Sequence, residues 1–208
     1  MSYETEEQQV EAIKKWWQEN GKSVVAGVVI GLGGVLGFQW WTQHQDQVGA
    51  QASNLYDQLL ISVRMENAES AAKQKELLQR EFSGTPYAGF ADLLYAKLQY
   101  EKGDSAAAVS ALQEAVERAP NDALRAIAVL RLARVLIDAG RAEEADTLLN
   151  KHPAPASFGA EYAALRGDLA RQKGDFAAAR SAYQQALNGN AGNSALVQLK
   201  LDNLPPST

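Results

Sequence analysis

The sequence contains no cysteine and only two histidines, His44 and His152, among its 208 residues. Without cysteine there can be no disulfide, thiolate nucleophile or cysteine-ligated zinc, and two histidines leave few of the usual bases and metal ligands. The sequence also lacks a glycine-rich phosphate loop and a Ser-His-Asp set. These absences predict a protein that is not an enzyme and that uses no cofactor or metal.

Basic residues are outnumbered as well. The chain has 20 lysines and arginines against 25 aspartates and glutamates, a formal net charge of −5. Affinity for nucleic acid comes largely from clustered Lys and Arg that neutralise phosphates. The composition therefore predicts that nucleic acid is not a partner.

Charge of either sign is missing from Ser23 to Gln45, and Val24 to Phe38 holds only apolar residues and glycine. A helix over residues 23–41 would be about 28 Å long, close to the ~30 Å hydrocarbon core of a bilayer. Tryptophan pairs at 16–17 and 40–41 bracket it, as is typical of residues at the two lipid interfaces. A buried core helix is the alternative, but core helices rarely extend this far without a charge.

The segment before this run is unlike a cleaved signal peptide. It is long and mostly acidic, and the nearest small-x-small site, Ala50-Gln51-Ala52, lies far beyond Phe38 instead of close behind the apolar run. Lys14, Lys15 and Lys22 precede the run, and no basic residue follows until Arg64. Because basic flanks stay in the cytoplasm, we expect residues 1–22 to be cytoplasmic, residues 23–41 to span the membrane and residues 42–208 to be exported.

The cytoplasmic segment has a helical pattern of its own. Thr5 and Gln8 form a possible capping box, and Val10, Ile13 and Trp17 lie on one apolar stripe. This pattern predicts a short helix on the inner membrane surface.

Five glycines in the span have helical spacing. Gly27, Gly31 and Gly34 share one face, and Gly33 and Gly37 form a small-xxx-small pair on a neighbouring face. The spacing predicts a helix-packing face for a second copy or another membrane protein. Alternatively, these glycines reflect only the high frequency of glycine in transmembrane helices.

The exported part repeats. Gly103, Gly140 and Gly174 each follow a helix-like stretch, at an interval typical of tetratricopeptide repeats. Relative to each glycine, small residues recur seven before and five after, and a large residue recurs nine after: Ala96, Ala133 and Gly167; Ala108, Ala145 and Ala179; Leu112, Leu149 and Tyr183. Pairs of antiparallel helices that cross closely need such small residues, so the period predicts a tetratricopeptide-like stack.

The middle unit departs from the pattern. Arg141 replaces the aspartate that would cap the second helix at positions 104 and 175, and prolines follow His152 at once. We expect this second helix to stop near Asn150, with His152 as its C-terminal cap rather than a chemical group.

The flanks of the repeats are also helical in pattern. Gln47 to Phe82 indicates two helices broken near Glu66–Glu69, either a divergent repeat or an extension of the membrane helix. Asn193–Leu204 indicates a terminal helix that covers the stack, with Leu196, Leu199 and Leu204 on one side. No segment alternates like a strand, so the predicted fold class is all-α: one N-terminal transmembrane helix followed by a tetratricopeptide-like stack.

Such stacks present the first helix of each pair along a concave surface. The repeat alignment places a mixed apolar and charged set on that surface, suited to an extended polypeptide or a partner helix: Leu93, Lys97, Tyr100, Leu130, Arg134, Ile137, Ala164, Asp168 and Arg171. The competing interpretation is that Leu93, Leu130 and Ile137 belong to the core.

Several segments together resemble the YfgM family, the ancillary SecYEG translocon subunits of Gram-negative bacteria. They are the run from Gln9 to Lys22, the glycine-rich span, Arg166-Gly167-Asp168 and the ending Leu199-Lys200-Leu201-Asp202-Asn203-Leu204. The resemblance covers essentially the whole chain in the same order.

The resemblance implies an inner-membrane protein with a periplasmic repeat domain. Its implied partners are the SecYEG translocon, a PpiD-like periplasmic chaperone and exported polypeptides that pass to periplasmic chaperones. It also implies a cytoplasmic role, the restraint of an envelope-stress response regulator. The repeats alone fit equally well a scaffold for another inner-membrane or envelope assembly.

Overall fold

The structure is a computed structural model that describes the backbone of residues 3–206 and the side chains of residues 9–206. The predicted capping box of Thr5 and Gln8 lies outside the described side chains. The chain divides into two compact units, Met1–Ala50 and Gln51–Thr208. Between residues 3 and 206 the regular structure is helical, without strands, which confirms the all-α class.

Helix α1 (Tyr3–Arg64) forms the first unit up to Ala50, and the part of α1 from Gln51 onward belongs to the second unit. The prediction of a separate short helix on the membrane surface is wrong, because the backbone stays helical without a break from Tyr3 through the glycine-rich run. This helix is long and apolar enough to cross a membrane. The apolar side chains of the glycine-rich run and its flanks are exposed, Ile30 by 73% and Trp40 by 69%, so this part of α1 is not the core helix of a globular domain.

The second unit is a stack of helix pairs. After α1 come α2 (Ala68–Glu81), α3 (Pro86–Glu101), α4 (Ser105–Arg118), α5 (Asp122–Asp138), α6 (Ala142–Lys151), α7 (Gly159–Gln172), α8 (Phe176–Asn188) and α9 (Ser194–Asp202). A short 3₁₀ turn, Ala156–Phe158, precedes α7.

The end of α1 forms the first pair with α2, separated from it by a turn at residues 65–67. Leu59, Leu78 and Leu98, from α1, α2 and α3, are buried in one apolar cluster. Both interpretations of the 47–82 segment therefore hold, because the helix that contains the candidate membrane span itself continues into the first helix pair of the stack.

The three repeat glycines have positive φ angles of 83°, 74° and 77°, a conformation that favours glycine. After each one, the next backbone N–H donates to a carbonyl five residues earlier, for example Asp104 to Gln99 at 2.9 Å. This is the Schellman ending of a helix. The Asp104 and Asp175 carboxylates then accept from the third residue on, each at 2.9 Å, which confirms both caps.

The columns of small and large residues form the core as predicted. Ala108, Ala145 and Ala179 are fully buried, and so are Leu149 and Tyr183. A Cβ atom added to Gly167 would overlap the ring of Tyr183. The third unit thus pairs glycine with tyrosine at the two positions where the other units pair alanine with leucine.

The departures of the middle unit are confirmed as well. Arg141 makes no side-chain cap and instead donates two hydrogen bonds to Glu144, at 2.6 and 2.7 Å. Helix α6 ends at Lys151, and His152 is its C-terminal cap residue, with its N–H donating to the Leu148 carbonyl. Burial, then Lys151 and Arg125, lower the His152 pKa, so this side chain is neutral at pH 7.

The predicted face of the terminal helix is wrong for Leu196 and Leu199 and correct for Leu204. Val197 and Leu204 are buried against the stack, whereas Leu196 is 46% and Leu199 57% exposed. The prediction relied on the side of α9 that has more leucines. The helix instead packs through the side that carries Val197 and Lys200, and Lys200 binds Asp168.

A buried charge joins α2, α3 and α4. Asp92 is 1% exposed, accepts a hydrogen bond from Gln79 and lies 3.6 Å from the Lys75 ammonium, which also contacts Glu114 at 2.9 Å. Asp92 Oδ2 has no hydrogen-bond partner in the described part of the chain. Burial is the main cause that raises the Asp92 pKa to about 6; Lys75 and Arg118 oppose it and Glu114 adds to it.

This raised pKa predicts a pH-dependent stability. Between about pH 4 and 7 the folded chain holds a proton on Asp92 that the unfolded chain releases, so the free energy of unfolding falls as the pH rises, by about 2 kcal/mol from this group. Asp92→Asn should remove that part of the slope. Chemical unfolding of both proteins from pH 4.5 to 7 measures it, and parallel profiles would contradict the prediction.

Candidate functional site: a groove between two repeats

A groove of about 250 Å³ lies between α3 and α5 on the side formed by the first helices of two repeats. Its lining comes from three helices, and we call it the α3–α5 groove: Leu93, Ala96, Lys97 and Tyr100 of α3, Leu112 of α4, and Arg131, Arg134, Val135 and Asp138 of α5. Each first helix contributes residues at i, i+3, i+4 and i+7, which is one face of an α-helix. The floor is apolar and the rim is polar.

Two contacts tie the walls together. The Tyr100 hydroxyl donates to Asp138 Oδ2 at 2.9 Å, and Arg131 Nη1 donates to the Leu93 carbonyl at 3.5 Å. The hydrogen bond to Asp138, followed by its charge, raises the Tyr100 pKa, so the phenol stays protonated. The Lys97 ammonium lies 3.4 Å from Glu101 on the same helix. The first two contacts join the α3 and α5 walls, and the cations Lys97, Arg131 and Arg134 are exposed at the rim.

The structure brings four of the predicted surface residues into this groove: Leu93, Lys97, Tyr100 and Arg134. It separates the others from it. Leu130 is 6% exposed in the core, and Ile137 packs against that core. Leu93 is also a 6% exposed member of this core, so the competing interpretation is confirmed for all three residues, although Leu93 lines the groove as well. Arg171, on α7, is exposed but does not line the groove.

The reason lies in how a groove forms. Residues at the same place in successive repeats point the same way, and among such equivalent positions of α3 and α5 only Lys97 and Arg134 both line the groove. The shift that carries Gly103 to Gly140 takes Leu93 to Leu130, but the residue that faces α3 is Arg131, one position and about 100° further round the helix. Arg131 follows Leu93 by 38 positions, and Asp138 follows Tyr100 by 38 positions. Each separation is one position longer than the interval from Gly103 to Gly140, and this difference was the sequence signal for the two missed residues.

Asp168 was also predicted to lie on the binding surface, but it is a buried residue of the fold. It is 9% exposed, so the expectation that it faces a ligand is wrong. Both of its carboxylate oxygens lie 2.7 Å from the Lys200 ammonium, and Oδ1 also accepts from the Tyr183 hydroxyl at 2.7 Å. This network fastens α9 to α7 and α8, so the motif at 166–168 and the C-terminal motif serve the fold together.

The glycine face of α1 is open. A Cβ added at Gly27, Gly31, Gly33, Gly34 or Gly37 would meet no side chain within 4 Å among the described residues. These five positions therefore leave a smooth surface on the apolar helix, and its occupant stays a prediction.

Comparison with known proteins bears on the whole chain. A family described as a tetratricopeptide repeat-like domain matches residues 14–206. A protein of Haemophilus influenzae named "Ancillary SecYEG translocon subunit" is 36% identical over 200 residues, which is 96% of this chain and 97% of the relative. The chain belongs to the family of ancillary SecYEG translocon subunits. Members of the same name in Aggregatibacter actinomycetemcomitans and Escherichia coli are 34% and 31% identical, over 96% and 97% of this chain.

Membership of the ancillary SecYEG translocon subunits confirms the resemblance seen in the sequence. The tetratricopeptide-like domain and the name of these relatives point to a non-catalytic accessory protein. The apolar N-terminal helix fits a protein anchored in a membrane.

Proposed function

We propose that this protein is a membrane-anchored accessory subunit of the SecYEG translocon whose repeat domain binds exported polypeptides. The observation that carries the proposal is similarity along almost the entire chain to proteins named as ancillary SecYEG translocon subunits. Anchor and repeats occur together in that similarity, so it concerns the whole arrangement rather than the repeats alone.

The proposed topology is single-pass in the inner membrane. Residues 1–22 are cytoplasmic, residues 23–41 span the bilayer and residues 42–208 lie in the periplasm. Lys14, Lys15 and Lys22 before the span, with no basic residue after it until Arg64, support this orientation. The exposed apolar surface of α1 needs lipid or a partner helix to cover it.

The proposed binding site for polypeptides is the α3–α5 groove. Its apolar floor and polar rim suit one side chain of an extended segment together with its backbone. A small contact of this kind gives modest affinity, which is what a protein needs if it holds clients briefly and releases them.

The family resemblance extends the proposal in two directions. Clients would pass from the groove to a PpiD-like periplasmic chaperone, and the glycine face of α1 would contact another membrane span of the same assembly. On the cytoplasmic side, residues 1–22 would contact an envelope-stress response regulator. These partners rest on the resemblance and on the open glycine surface.

Photocrosslinking in cells tests the topology and the partners together. A photoreactive residue in place of Lys97 should crosslink to exported polypeptides, and one in place of Gly31 should crosslink to translocon subunits. Affinity purification in mild detergent should recover SecYEG and the PpiD-like chaperone. Recovery of a different envelope assembly would favour the scaffold function instead.

The groove itself is tested by two substitutions. Tyr100→Ala removes the hydrogen bond to Asp138 and Arg134→Glu reverses a rim charge, so each should lower client crosslinking from position 97 about threefold or more. Arg80→Glu, on the exposed part of α2, is the matched control and should leave the yield unchanged. Unchanged crosslinking in both groove variants would remove the assignment.

A further inference from the structure

The charge of the α3–α5 groove differs from that of the domain around it. Residues 46–208 carry 17 basic and 20 acidic side chains. The groove lining nevertheless contains three cations, Lys97, Arg131 and Arg134, and one carboxylate, Asp138. The groove is thus a positive patch on an acidic domain.

The acidic groups beside the groove are already engaged. Asp138 accepts the hydrogen bond of Tyr100, and Glu101 is paired with Lys97. Arg134 is exposed and has no ion pair or hydrogen bond to another described residue. A bound segment therefore meets one cation without a partner among the described residues, Arg134. Lys97 and Arg131 are already engaged, by Glu101 and by the Leu93 carbonyl, but their remaining N–H groups can still donate charge-assisted hydrogen bonds.

The size of the groove limits what it can hold. Pockets for drug-sized ligands measure about 300–1,000 Å³, whereas this one measures about 250 Å³. Leu93, Ala96, Leu112 and Val135 form its apolar floor. The space suits one large apolar side chain, and the chain that carries it would pass across the rim.

We propose that the groove selects extended polypeptide segments in which a large apolar residue is flanked by acidic residues. The apolar side chain enters the floor between α3 and α5, and the flanking carboxylates bind Lys97, Arg131 and Arg134. Segments with basic flanks are disfavoured because they meet the same three cations. This selectivity rests on the proposed function, since it describes which polypeptides the groove binds.

Peptide binding to the full-length protein in detergent tests the selectivity. Fluorescent nonapeptides would carry a central leucine flanked by aspartates, by asparagines or by lysines. Fluorescence anisotropy should show about three- to tenfold tighter binding of the aspartate peptide than of the lysine peptide, and the difference should shrink at high salt. A fourth peptide, with aspartates around a central serine, should bind more weakly than its leucine counterpart.

Two variants assign the preference to the groove. Arg134→Glu and Lys97→Glu should each abolish or invert the preference, with folding confirmed by circular dichroism, while Arg80→Glu should preserve it. Equal affinity for acidic and basic peptides, or a serine peptide that binds as tightly as the leucine one, would overturn the inference and leave groove binding standing. Failure of every peptide to bind would overturn the proposed function along with it.

Discussion

Replacement of Gly167 by alanine is expected to lower the free energy of unfolding of the repeat domain by about 1–3 kcal/mol or more. The new methyl group would overlap the ring of Tyr183, which is fully buried. Either α7 and α8 move apart or the ring leaves its place and breaks its hydrogen bond to Asp168.

A compensating change makes this prediction specific. At the equivalent positions, the first two repeats pair alanine with leucine, so Gly167→Ala with Tyr183→Leu should recover part of the lost stability. Recovery stays incomplete because leucine cannot donate to Asp168. Thermal unfolding followed by circular dichroism is the measurement, since all four tryptophans, of which Trp41 is the last, precede the repeat domain and do not report on this region. A single variant as stable as the parent would contradict the packing described here.

Lys200→Met is expected to cost about 3 kcal/mol and to release α9 from the stack. Asp168 would remain buried with its charge, and only the Tyr183 hydroxyl would still bind it. The lysine is 30% exposed, which keeps the expected loss at the lower end of the range for broken buried pairs. Loss of α9 would also uncover Val197 and Leu204.

Hydrogen exchange resolved by segment measures this effect. Amides of α9 and α8 should lose protection in Lys200→Met, while those of α3 and α4 should not. Adding Asp168→Asn should restore part of the stability, because no unpaired charge then remains in the interior. Gln198→Ala, which removes an exposed contact with Asp202, is the control. Protection that stays uniform would show that the ion pair does not hold α9.

The repeats could be predicted because their determinants are local. Gly103, Gly140 and Gly174 end helices in a left-handed conformation, and two aspartates cap the helices that follow. The close crossing of α7 and α8 could also be predicted, because Gly167 and Tyr183 hold fixed offsets from the same turn. Each of these features acts within a single helix pair.

The candidate groove was predicted only in part. Tyr100 and Arg134 could be predicted because they lie on the exposed side of first helices, whereas Arg131 and Asp138 could not, because they are not equivalent to Leu93 and Tyr100 in the repeat alignment. Facing positions depend on the rotation of α5 relative to α3. That rotation is set by packing between helices and has no signature within either one.

The sequence by itself determined the all-α class, the long apolar N-terminal helix, the helix-ending turns and the pairing of small with large residues, since these follow from backbone conformation and from periodicity along one helix. Only the tertiary structure decided that Asp168 is a buried partner of Lys200, that Val197 rather than Leu196 faces the stack, and that α3 and α5 enclose a cationic groove. These outcomes depend on which helix faces meet across distant parts of the chain, and one face of an isolated helix does not specify the face that packs against it.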